Sequence, residues 1–185
     1  MAHSRRRAID YWGGYYHTMD GKAHDVERWD LLIAHPPCTY LSSVTTRHLS
    51  LRCNPPEKVV DRMWKVAEGA VFFVRCAEAA VERVCVENPT GFMSRLYRKP
   101  DQIIHPYYFA ESEDDAENYE HKRTCLWLRG LPPLMRRTFL PEPPPKGYTV
   151  SGKAKHFEEC ASGNRSEVRS KTFPGIARAM AEQWG

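Results

Sequence analysis

Two short apolar runs, each stopped by proline, flank one long helical pattern, and this arrangement constrains the fold more than any other feature of the chain. The first run, Trp29-Asp-Leu-Leu-Ile-Ala34, leads into His35-Pro36-Pro37-Cys38, and the second, Arg83-Val-Cys-Val86, leads into Glu87-Asn88-Pro89. Both read as buried strands, because proline lacks the N–H that a ladder needs and so marks where regular pairing stops. Between them Val59, Met63, Val66, Ala70, Val71, Val74 and Ala77 recur at three- and four-residue steps, which predicts a long helix burying one face. Its start is read at Asn54-Pro55-Pro56-Glu57, with Asn54 as cap, Pro55 at the first helical position and Glu57 completing a capping box. A strand–helix–strand crossover joins parallel strands with right-handed connection in nearly every case. Cys38 and Glu87 are therefore expected at one carboxyl edge of the sheet, where open α/β folds place their ligands.

The 185 residues, 42% of them hydrophobic and 27% charged, suit a single globular domain spanning 1–185. No apolar run reaches the roughly 18 residues of a membrane span, and the basic start His3-Ser-Arg-Arg-Arg7 is not followed by an apolar signal core, so no membrane partner and a cytoplasmic location are expected. The six cysteines, Cys38, Cys53, Cys76, Cys85, Cys125 and Cys160, form no C-x-x-C pair, which indicates neither a disulfide scaffold nor a zinc site; no metal is expected. A formal charge of +4 is compatible with a polyanionic partner without requiring one. Arg5-Arg-Arg7, Arg95 to Lys99 with Arg98 between them, Lys122-Arg123 and Arg136-Arg137 are the clusters able to grip phosphates, although a solvated surface is the plainer reading of any one.

Residues 1–24 read as an irregular segment, loop or hairpin, around Gly13-Gly14. Thr124-Cys-Leu-Trp-Leu128 is a further strand, closed by Gly130 and Pro132-Pro133. Residues 129–168, with Pro141-Glu-Pro-Pro-Pro145 and Ser162-Gly-Asn164, form a polar proline-rich passage, either a surface excursion or a recognition insert. Ile176 to Trp184 reads as a terminal helix. The fold class is α/β, with a largely parallel, partly Rossmann-like sheet and a short irregular insert.

A cysteine is a weak nucleophile at neutral pH unless a positive charge, a helix terminus or a base lies beside it, and His35 and Arg47 are the nearby candidates. Cys76, Cys85 and Cys125 lie in apolar runs and read as core residues. Glu87 ends an apolar strand, where desolvation favours the protonated acid, able to donate a hydrogen bond.

Taken together, Pro36-Pro-Cys-Thr-Tyr-Leu-Ser42 and Glu87-Asn88-Pro89 resemble the Pro-Cys loop and the Glu-Asn dipeptide of the DNA cytosine-5 methyltransferases, in particular the compact phage and prophage type. Glu120-His-Lys122-Arg-Thr124 is similar to that family's Gln-x-Arg-x-Arg run, with Lys122 and Thr124 in place of both arginines, and Arg169-Ser-Lys-Thr-Phe-Pro-Gly-Ile-Ala177 resembles the phage type's ending. The resemblance covers about Asp25 to Gly185. It implies a class I methyltransferase fold, Cys38 as nucleophile at carbon 6 of cytosine, Glu87 as the acid on the base edge, and Pro36, Pro37, Ser42, Arg47, Asn88, Pro89, Lys122 and Thr124 as substrate-binding residues. It also implies S-adenosylmethionine as methyl donor, DNA as partner with the target base flipped from its stack, and 129–168 as the recognition insert.

The residues before Val26 are too few for the two strands and crossover helix of the family's cofactor half. The expectation is a truncated or split enzyme, inactive alone and completed by a complementing cofactor-binding chain. Two alternatives use the same residues: a non-catalytic nucleic-acid-binding derivative working through its basic clusters with Tyr40, Phe92, Tyr97 and Trp127, or an enzyme that methylates a free pyrimidine nucleotide.

Overall fold

A computed structural model describes residues 14–17, 22–26, 29–43, 45–156 and 172–185. Arg5 to Arg7, Gly13, Cys160, Ser162 to Asn164 and Arg169 to Lys171 lie outside the described residues. The chain divides into two compact units, Met1–Gln102 with Cys125–Pro132, and Ile103–Thr124 with Pro133–Gly185.

In the first unit, β1 (Gly14–His17) and β2 (Ala23–Val26) pair as an antiparallel hairpin that begins in the stretch 1–24 read as loop or hairpin and runs two residues past it. There follow β3 (Leu31–Ala34), a short helix α1 (Thr45–His48), the long α2 (Pro56–Ala77), β4 (Arg83–Pro89) and the one-turn α3 (Met93–Leu96). With β5 (Gln102–Ile104) and β6 (Thr124–Arg129), these strands make a four-stranded mixed sheet in the order β3-β4-β6-β5. β3 and β4 are parallel, Leu31 opposite Arg83 and Ala34 opposite Val86, so the expected β–α–β unit is present as β3–α2–β4. The fold is mixed α/β.

The start of α2 differs from the expectation. Pro55, at φ −60° and ψ 146°, is the N-cap, and Pro56 takes the first helical position with no side-chain cap bond. The cause is the proline pair itself, since a residue followed by proline is held out of the helical region, and Pro55 precedes Pro56. Asn54 instead donates from Nδ2 to the carbonyls of Arg47 and Ser50, each at 3.2 Å, and closes the turn after α1.

The buried face of α2 is Val59, Phe73, Cys76 and Ala77, whereas Met63 and Val71 are exposed by more than half. At about 100° per residue Val71 stands roughly 160° round the helix from Phe73, on the opposite side. Met63, although it continues the three-and-four pattern one turn after buried Val59, is exposed as well. Phe73 and Trp127 meet edge to face at 5.0 Å between ring centres in the core with Leu41, Val84 and Val86. Trp127 is 1% exposed and its Nε1 donates to the Arg98 carbonyl at 2.8 Å, which removes it from the aromatics available for stacking on bases.

The second unit holds a 3₁₀ turn (Pro106–Phe109), a small antiparallel hairpin of β7 (Gly147–Tyr148) and β8 (Ala154–Lys155), and α4 (Pro174–Trp184). That hairpin lies within the passage read as irregular. Asn118 seats α4, accepting from the Gly175 N–H at 2.7 Å while donating to Asp115. A side chain at Gly175 would strike the Phe109 carbonyl, so helix and turn meet backbone to backbone. Among the described residues no helix is long and apolar enough to cross a membrane.

Candidate active site

Because Ala34 pairs with Val86 in parallel register, the next residues along each strand, His35 and Glu87, emerge level with one another. His35 Nδ1 lies 3.1 Å from Glu87 Oε2, with the two side chains 35% and 22% exposed. One residue farther, Asn88 Nδ2 donates to the Pro36 carbonyl at 2.8 Å. Pro36-Pro37 offers no N–H to extend the ladder, so the chain leaves the sheet here and turns tightly: the N–H groups of Leu41 and Ser42 both donate to the Cys38 carbonyl at 3.0 Å. Thr45 Oγ1 braces the turn through the Thr39 carbonyl at 3.1 Å.

The loop then returns to the segment after β4. Phe92 N–H donates to the Leu41 carbonyl at 2.8 Å, Ser43 N–H to the Thr90 carbonyl at 3.2 Å, and Ser42 bridges Gly91. Residues 35–43 are thus laced to residues 87–92 at both ends, with Cys38 between the ties and half-buried. Gly91 is required by this closeness: a Cβ there would stand 1.9 Å from the Leu41 carbonyl oxygen and 2.8 Å from the Ser42 Cα. Its position two residues after Pro89 was the available sequence signal, and sequence reasoning passed over it.

Of the remaining residues singled out from the sequence, Pro36, Ser42 and Asn88 are buried, Pro37 and Arg47 are exposed, and Pro89 is half-buried. Asn88 Oδ1 is buried without a hydrogen-bond partner among the described residues. Two expectations are corrected. Glu87 is not a carboxyl sealed in apolar surroundings but a partly exposed one held by an imidazole, and that imidazole, His35, is directed to Glu87. Arg98 is not a loose surface cation: it bonds Asp101 at 2.7 Å and the Leu128 carbonyl at 3.0 Å. Lys122 and Thr124 belong to the second unit, where the Lys122 ammonium lies 5.2 Å from the Phe173 ring centre and buried Thr124 donates to the Lys122 carbonyl.

Cys76, Cys85 and Cys125 are buried in the core, whereas Cys53 is exposed. Burial pushes the Cys76 thiol up to about 12 and raises that of Cys85 further, so neither supplies thiolate near neutral pH.

Compared with protein-family models, curated protein sequences and solved structures, the chain matches none. The site offers a half-buried thiol on a pinned loop that follows β3 and, among the last residues of β4, a carboxylate oriented by an imidazole, groups capable of nucleophilic addition and of proton exchange.

A second cluster lies in the second unit. The rings of His105, His121 and His156 follow one another at 4.2 and 4.1 Å between centres, and His121 Nε2 is 3.1 Å from Glu142 Oε1. Burial, with the neighbouring imidazoles and Arg123 adding to it, depresses His105 to about 4, so it is neutral at pH 7. His121, Glu142 and His156 present ligand-type atoms within 4.8 Å of each other. Their spacing follows no metal-binding motif, which is why the sequence pointed to no metal.

Proposed function

We propose that this chain is the base-binding and nucleophile-bearing part of a phage-type DNA cytosine-5 methyltransferase, with a Rossmann-like class I ancestry for its sheet. The observation that carries the reading is the lacing of the Cys38 loop, which follows β3, to Glu87-Asn88 near the end of β4. Carbon 5 of cytosine is too weak a nucleophile to accept a methyl group until something adds to carbon 6. Cys38 Sγ forms that bond, and Glu87 donates or accepts a proton at N3 and the exocyclic amine as the ring gains electron density. His35 keeps the Glu87 carboxylate pointed out of the sheet, and Asn88, bonded to the Pro36 carbonyl, sets the height of the Cys38 loop. After reaction at carbon 5, loss of its proton expels the Cys38 thiolate.

S-adenosylmethionine is the methyl donor that the resemblance implies. The described residues do not fit it: ahead of β3 stands an antiparallel hairpin rather than a strand, glycine turn and helix. We assign the donor pocket to a complementing cofactor-binding chain, for which β3, an edge of the sheet with β4 as its neighbour in the strand order, offers a place to add. DNA is the proposed partner, with the target base flipped out of its stack.

The test is capture of Cys38 by a DNA duplex with pyrimidin-2-one at one cytosine position, since that ring accepts a thiolate at carbon 6 without methyl transfer. The expected product is an adduct on Cys38, located by mass spectrometry, absent in Cys38→Ser and formed about 10² to 10⁴ more slowly in Glu87→Gln. Binding of the duplex without any adduct would support a non-catalytic nucleic-acid-binding derivative. Equal capture by the free nucleoside monophosphate would move the substrate to free nucleotides.

A further inference from the structure

We propose that His121, Glu142 and His156 bind one divalent transition-metal ion, for which zinc is the best match. Each side chain contributes one ligand atom, and these atoms already lie within 4.8 Å of one another. Bonds from zinc to imidazole nitrogen and carboxylate oxygen are about 2.0–2.2 Å, which sets tetrahedral ligand atoms about 3.3 Å apart. His121 Nε2 and Glu142 Oε1, at 3.1 Å, have that separation now. His156 has at most about 1.5 Å to close, a displacement that side-chain rotation supplies without moving backbone.

The donor set selects the ion. Two imidazoles and one carboxylate suit zinc and its borderline neighbours, whereas magnesium and calcium favour all-oxygen cages. Glu142 answers His121, but His156 stacks on the same imidazole at 4.1 Å, so two half-buried rings converge on one carboxylate. A dication satisfies all three groups together. Glu142 has 58% of its side chain exposed, which leaves a path for the ion and a fourth coordination position for water.

The three ligands come from three separate segments: the loop before β6, the proline-rich passage, and the residue after β8. Lys146 pairs with Glu120, so the passage is already held beside the residue that precedes His121. An ion joining the three closes long loops, and the entropy removed from the unfolded chain makes its binding a contribution to folding.

Zinc titration of the full chain against a chromophoric chelator tests the assignment. One equivalent should bind, with a zinc-dependent rise in Tm, and His121→Ala and His156→Ala should weaken binding by more than the roughly 10- to 100-fold that outer contacts of a metal site are worth. Cobalt(II) on the unaltered chain gives a readout that needs no variant to fold: tetrahedral d–d bands without a sulfur charge-transfer band are expected. Absence of binding, affinity unchanged in folded His156→Gln, or a sulfur-to-cobalt band marking cysteine ligation would each overturn it.

Discussion

At Gly91 a single missing side chain decides whether the Cys38 loop can close. Any Cβ there collides with backbone, not with a movable side chain, so Gly91→Ala has to push residues 41 and 42 away from β4. We expect a stability loss of about 1–3 kcal/mol by urea denaturation and altered alkylation of Cys38. The thiols offer a second prediction. Iodoacetamide at pH 8 should modify exposed Cys53 and half-buried Cys38, while Cys76 and Cys85 stay protected until the chain unfolds, as peptide mapping will show. The same raised thiols make stability depend on alkaline pH. Below the ordinary thiol value near 9 they are neutral in both states and the contribution is fully present. Above it the unfolded chain ionises first, so stability declines from about pH 9 toward about 12, and Cys76→Ala should flatten that decline.

At the scale of elements, α2 shows how a three-and-four pattern can be right about a helix and wrong about parts of its face. Phe73, Cys76 and Ala77 carry the packing on the sheet, and Trp127 meets Phe73 edge-on. Phe73→Ala should cost about 3–5 kcal/mol, whereas Met63→Gln and Val71→Gln should stay within about 0.5 kcal/mol, all by urea unfolding. The repeat along a sequence admits apolar residues on more than one side of a helix, and Val71 stands on the side opposite Phe73. The cap was misplaced by one residue because Asn54 followed by proline matches a capping pattern, while the second proline transfers that role to Pro55.

At the scale of the molecule, the proposed role makes DNA binding electrostatic. Arg47, Arg95 and Lys99 are the exposed cations of the first unit that were expected to contact phosphates, while Arg98 is held by Asp101 and Leu128. Three phosphate contacts correspond to a salt slope of about −2.7, or about a 40-fold loss of duplex affinity between 50 and 200 mM salt, measurable by fluorescence anisotropy. A flat response would remove these residues from a nucleic-acid interface.

The β3–α2–β4 unit, the strand at Thr124–Arg129 and the terminal helix were legible from sequence because their signals are local: periodicity, proline stops and strand length. Parallel pairing followed as well, since a helix of that length between two strands leaves one practical connection. What sequence could not supply is register and meeting. That His35 stands level with Glu87 depends on Ala34 pairing with Val86, and a slip of β3 by one residue would turn its side chains to the other face and separate the pair. The tie from Asn88 to Pro36, the closeness that demands Gly91 and the convergence of His121, Glu142 and His156 all join residues far apart along the chain. Such contacts leave no period and no fixed spacing, so they came from tertiary packing alone.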